Sequence, residues 1–172
     1  MRNLLLRPMT QEDVHSVFQV QAECYVSVAL EDESTIRTRL FGAPDTAWVV
    51  EDNEGVGAYL VAYRSIIGKV TPLGGCFDIP DNAESLYLHD LAVSGRMKGH
   101  GIGSALVQHA CDRALQEEIT YSSLVSVQDS REFWIRHGFK IFDLLDPVQL
   151  SNLKTYGELS VYMIKEITAS KH

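Results

Sequence analysis

Residues 88–107, LHDLAVSGRMKGHGIGSALV, constrain the fold of this chain more than any other stretch. The segment begins with strand-like alternation, passes through Gly99, Gly101 and Gly103, and ends in apolar residues at helical spacing. A helix entered through bare backbone starts with N–H groups that have no intrahelical acceptor, and its first turn carries partial positive charge. Glycine lets such a backbone approach a ligand closely and tolerates unusual dihedrals. Together these suit an anion, either a phosphate or a diphosphate. Ser104 adds a hydroxyl, and Arg96 and Lys98 add positive charge. Taken alone, the cluster also reads as a glycine-rich turn with no ligand.

Two well-known phosphate loops do not fit. The pattern G-x-G-x-x-G fails at Ser104, and the cluster follows a hairpin in mid-chain rather than the first strand of a doubly wound unit. The pattern G-x-x-x-x-G-K-[ST] is absent.

The surrounding pattern sets the fold class. Strands are expected over 3–7, 47–51, 56–63, 85–93, 121–127, 139–144 and 160–167. Helices are expected over about 10–24, 33–40, 102–115 and 130–137, the first opened by Thr10 and the acidic residues after it. Asp52-Asn53-Glu54-Gly55 is turn chemistry and predicts a hairpin. Residues 64–83 form a long Gly- and Pro-containing loop, and such loops in compact domains are often functional. The expected class is α+β, with a mixed, mainly antiparallel central sheet flanked by helices on both faces. A length of 172 residues suits one domain, 1–172.

Net charge of −8 argues against nucleic-acid binding, which needs clustered Lys and Arg. No apolar run approaches a membrane span or a secretory leader, so a cytoplasmic protein with no membrane partner is expected. Cys24, Cys76 and Cys111 are widely spaced, consistent with reduced thiols. The six histidines show no tight ligand spacing, and no metal is expected.

LAV-x(4)-K-G-H-G-I-G-S-A-L resembles motif A of the GNAT N-acetyltransferase superfamily, whose loop reads [QR]-x-x-G-x-[GA]. Lys98 stands where the family usually has Gln or Arg, and Gly101 and Gly103 take the two small positions. LHDLAV looks like the family's fourth strand, and QDSREFWIRHGF (128–139) like its late helix and the Gly-Phe that follows. The resemblance implies acetyl-CoA as cosubstrate. Its pantetheine would pair with Leu91, Ala92 and Val93, and its diphosphate would rest on Lys98, Gly99, His100, Gly101, Ile102, Gly103 and Ser104. Gln128 and Trp134 would border the cofactor.

The implied reaction is direct acetyl transfer to a primary amine, a small molecule favoured over a protein amine. A non-catalytic acyl-CoA sensor is the alternative. Amine attack requires a base and donors for the developing oxyanion. Alternation puts Tyr87, His89 and Leu91 on one face of the strand and Asp90 on the other. His89 is the candidate base, Asp90 its rival, and a structural histidine the remaining option. The Leu91 N–H is the oxyanion donor that the resemblance implies. Many relatives carry a Tyr where this chain has Trp134, and an indole N–H does not transfer protons in water. Tyr25, Glu31, Phe77 and Tyr87 are candidates for binding a cationic acceptor through aromatic and charge contacts, with plain packing as the competing reading. A homodimer is possible on this fold.

Overall fold

The computed structural model describes residues 3–25, 30–127 and 129–169. Seven strands form one mixed sheet in the order β1-β2-β3-β4-β5-β7-β6. They are β1 (Leu5–Pro8), β2 (Ala47–Asp52), β3 (Gly55–Ser65), β4 (Ser85–Val93), β5 (Tyr121–Ser126), β6 (Lys140–Ile141) and β7 (Val161–Glu166). The helices are α1 (Val14–Cys24), α2 (Glu33–Gly42), α3 (Ile102–Gln116), α4 (Arg131–Arg136) and α5 (Pro147–Lys154). β4 and β5 pair in parallel, while β1 with β2, β2 with β3, β5 with β7 and β6 with β7 are antiparallel. The mixed, mostly antiparallel sheet is the expected architecture.

The chain divides into two compact units, and β3, β4 and α3 each run through both. The first unit holds the chain up to Ala62 together with Asp90–Ala110. Its core includes Val14, Val17, Val49, Tyr59, Leu60 and Leu106. The expected hairpin joins β2 to β3. The Asp52 carboxylate accepts from the Glu54 N–H at 2.9 Å, and Gly55 takes φ 106°, so the turn closes without steric cost. Ahead of α1, residues Gln11–Asp13 form a 3-10 turn. Asp13 accepts from the Thr10 N–H at 2.8 Å and from both Arg7 terminal nitrogens at 2.8 and 2.9 Å.

The second unit holds Tyr63–His89 and the chain from Cys111 onward. Its core includes Tyr63, Leu86, Tyr87, Leu124, Phe139 and Tyr162. Two features differ from expectation here. Strand β6 covers only two residues instead of 139–144, because burial does not alternate there: Phe139 is buried while Ile141 and Leu144 are exposed. Helix α5 falls where no helix is expected. Asp146 caps it by accepting from the Gln149 N–H at 2.9 Å, and Pro147 opens it with a pre-set φ. Its inner side is polar. Gln149 accepts from Val70 N–H at 2.6 Å, and Asn152 donates to the Val70 carbonyl at 2.9 Å, which ties down the long loop after β3.

Candidate active site

Within the first unit, the turn that leads from β4 into the glycine cluster is held from several directions. The Ser94 N–H donates to the Gly57 carbonyl on β3 at 2.7 Å. Glu23, at the end of α1, accepts from the Gly95 N–H at 2.7 Å and from the Ser94 hydroxyl at 2.9 and 3.1 Å. Those bonds, the Gly95 N–H first and the Ser94 hydroxyl second, hold the Glu23 carboxyl below its ordinary range. Arg96 bonds both Asp52 oxygens at 2.6 and 2.7 Å and the Gly55 carbonyl at 2.9 Å. Met97 is buried so close to β3 that a Cβ on Gly57 would stand 2.7 Å from its sulfur.

The glycine cluster follows this anchored turn. Gly99 and Gly101 take φ values of 80° and 70°, which favour glycine. The Gly101 carbonyl accepts from the Ala105 N–H at 3.0 Å, so the N–H groups of Ile102, Gly103 and Ser104 precede the first intrahelical bond of α3. Side chains are not what makes Gly99 and Gly101 special: a Cβ at either would meet no atom within 4 Å. The positive φ of the backbone turn itself favours glycine, and N–H groups ahead of the first intrahelical bond are of the kind that suits anions. Lys98 and His100 are exposed beside it. His100, Ile102, Arg96, Met97 and Leu4 border a cleft of about 490 Å³.

The peptide directions along β4 follow from one bond. Because the Ser94 N–H points to β3, the Val93 carbonyl in the same peptide unit points away from it, and so does that of Leu91 two residues earlier. Ala92 presents its own polar groups to β3 and is buried. The outward edge is therefore made by Leu91 and Val93. The parallel ladder to β5 runs from Ser85↔Tyr121 to Leu88↔Leu124 among the described residues. At the outward edge, the Tyr25 hydroxyl donates to the Leu91 carbonyl at 2.9 Å and the Cys24 thiol to the Val93 carbonyl at 3.3 Å.

A family model for the acetyltransferase (GNAT) family matches residues 14–139. The chain belongs to the GNAT acetyltransferase family. Comparison with curated proteins gives no match. Solved GNAT structures share the fold at low identity. A GNAT-like decarboxylase, GphF, in complex with isobutyryl-CoA superposes with a TM-score of 0.77 at 16% identity, over 95% of this chain and 100% of that one. The ribosomal-protein-S18-alanine N-acetyltransferase from Escherichia coli gives 0.69 at 11%, over 99% and 97%. The PaiA N-acetyltransferase from Thermoplasma acidophilum in complex with coenzyme A gives 0.68 at 13%, over 95% and 99%.

Several site candidates of this GNAT chain sit in settings that the sequence did not reveal. Asp90 accepts from the buried Tyr59 hydroxyl at 2.6 Å and lies beside the Tyr25 hydroxyl. Burial first, and then the Asp90 charge, hold both phenols well above their ordinary pKa. Tyr25 therefore sits at the strand edge, bonded to backbone and beside a carboxylate. Glu31, expected to face an acceptor, is ion-paired with Arg39, and both side chains are nearly buried. Arg96, expected to supply charge to the cradle, is committed to Asp52 and the hairpin turn.

In the second unit, Tyr87 and His89 share a face, with ring centroids 6.4 Å apart and nearly parallel planes. Phe77 stacks on Tyr63 at 3.9 Å and meets His89 edge-on at 5.1 Å. Tyr87 is fully buried, whereas Phe77 and His89 are half-buried. Trp134, which the resemblance would place beside the cofactor, is buried, edge-on to Phe133 at 4.9 Å and to Phe139 at 5.5 Å. Gln128 lies outside the described residues. Glu23 and Gly57, which shape the turn before the glycine cluster, were not among the sequence candidates. One is an exposed acid at a helix end and the other a glycine inside a strand, a position that marks close backbone approach.

Among the described residues, no group of three or more His, Cys, Asp or Glu is placed to hold a metal, and no helix is long and apolar enough to cross a membrane.

Proposed function

We propose that this GNAT chain is an acetyl-CoA-dependent N-acetyltransferase that acts on a primary amine, a small molecule rather than a protein, by direct transfer within a ternary complex. The supporting observation is the pair of positive-φ glycines, Gly99 and Gly101, leading straight into the first turn of α3 from a turn anchored by Glu23, Arg96 and Met97. Anchoring lowers the ordering cost of gripping a diphosphate with main-chain N–H groups. The residues that would hold it are Gly99, Gly101, Ile102, Gly103 and Ser104, with Lys98 adding charge at the rim. Leu91 and Val93 would take the pantetheine arm along their outward edge.

Acetyl-CoA, when bound, supplies an acyl group activated as a thioester. The Leu91 N–H is assigned to the carbonyl oxygen where negative charge develops. His89 is assigned to the amine proton, directly or through water, because a neutral imidazole has a ring nitrogen that accepts a proton. Asp90 is assigned to holding β4 through Tyr59 rather than to proton transfer. With indole at position 134, the departing sulfur takes its proton from solvent. The net charge of −8 and the half-buried rings of Phe77 and His89 favour a cationic acceptor. The free cysteines suit a reducing cytoplasm.

Thiol release measured with acetyl-CoA and a panel of small amines, amino acids and peptides with free N-termini or lysines tests this reading. Turnover with a small amine supports it. Turnover restricted to peptides corrects the acceptor class. Binding of acetyl-CoA without consumption by any amine turns the chain into a sensor and overturns the enzyme assignment.

A further inference from the structure

Three consecutive residues at the end of α1 each hold a different point of the segment 91–95. Tyr25 bonds the Leu91 carbonyl, Cys24 the Val93 carbonyl, and Glu23 the Ser94 hydroxyl and Gly95 N–H. The first two of these acceptors are the carbonyls that β4 turns away from β3. An added strand would use the same two, and it would run about 4.8 Å from β4. A phenol oxygen 2.9 Å from one carbonyl and a sulfur 3.3 Å from the other stand nearer to these acceptors than the axis of an added strand would. The pantetheine arm and the end of α1 thus compete for one edge.

We infer that Cys24 and Tyr25 form a clasp that coenzyme A displaces from β4, while Glu23 keeps its hold on the turn that carries the cradle. The inference rests on the coenzyme A reading of the site. Displacement has a built-in landing place, because the Asp90 carboxylate lies beside the Tyr25 hydroxyl and would accept the bond from its single proton once the Leu91 carbonyl is given up. The Glu23 contacts are of another kind. They fall on Ser94 and Gly95, beyond the two competing carbonyls, so the cradle stays anchored when the clasp opens. Cofactor binding then reshapes the residue that follows α1 without disturbing the diphosphate loop.

A structural tie and a competing clasp predict opposite signs. If the end of α1 merely stiffened the site, removing its bonds would weaken the binding of coenzyme A. If it competes, removing them strengthens binding. Titration calorimetry with coenzyme A on the full chain, on Tyr25→Phe and on Cys24→Ala reads the sign directly. Tyr25→Phe is expected to tighten binding about three- to ten-fold, the range for one neutral hydrogen bond, and Cys24→Ala about two-fold. Unchanged or weaker binding by Tyr25→Phe overturns the clasp. Should that variant fail to fold, the sign for Cys24→Ala decides alone. Normal binding by the parent chain with no gain in the variants sinks the clasp and leaves the coenzyme A reading standing, whereas no binding by the parent sinks the coenzyme A reading itself.

Discussion

The two halves of β4 share one strand and behave as different materials. From Ser85 to Leu88 every residue is buried, and each pairs with β5 in a parallel ladder. From His89 onward burial falls, and the outward carbonyls bond side chains of α1. The inner half is scaffold, fixed by apolar burial and backbone pairing. The outer half gives its edge to the side chains of Cys24 and Tyr25, the partners that the clasp makes exchangeable. The proposed reaction would need both: rigidity to set the position of reacting groups, and backbone groups that are not locked into a ladder.

Substitutions on the two halves should therefore fail in different ways. The largest effect is expected at the start of the outer half. His89→Ala should lower kcat about 10³-fold, with coenzyme A affinity and stability close to those of the parent. A kcat equal to the parent's would assign the base elsewhere. On the inner half, Leu86→Ala should cost about 3 kcal/mol of stability in chemical denaturation and leave coenzyme A affinity of the folded fraction unchanged. A loss of affinity instead would erase the distinction between the halves.

Gly101→Asp should weaken coenzyme A binding about 100-fold, since a carboxylate would face the diphosphate and a non-glycine residue at φ 70° is strained. The strain alone should cost about 1–2 kcal/mol of stability, so a variant that loses stability but keeps affinity would disprove the cradle. The smallest effect is expected at Glu23. Glu23→Gln retains one acceptor and should weaken coenzyme A about three-fold. The Glu23 pKa is depressed in the fold, so its stabilising contribution is present above the unfolded carboxylate value of about 4.3 and is lost as pH falls through the lower folded value. The stability gap between parent and Glu23→Gln should accordingly close on acidification. A gap that stays constant from neutral pH to below that range would show that the carboxylate charge is irrelevant.

The parts of the site that were legible in the sequence are those encoded locally. The glycine turn into α3 is one such part, because glycines and a helical repeat adjoin within a few residues. So is the alternation that sets Tyr87 and His89 on one face. What escaped was decided by partners far along the chain. Arg96 looks available to an anion until Asp52, 44 residues earlier, folds beside it. Glu31 looks like a surface acid until Arg39 buries with it. Glu23 meets Gly95 across 72 residues. Helix α5 is a different case. Its start signal, Asp146-Pro147, is local, but its inner face is built from Gln149 and Asn152, so no apolar stripe announces it.

Amide NMR on the isotopically labelled chain, titrated with coenzyme A, tests the central claim most directly. The account predicts that the amide signals of Leu91, Val93, Ile102 and Gly103 move strongly while those of Ser85–Leu88 stay in place. Saturating coenzyme A that leaves the α3 entry and the outer half of β4 unmoved would contradict it.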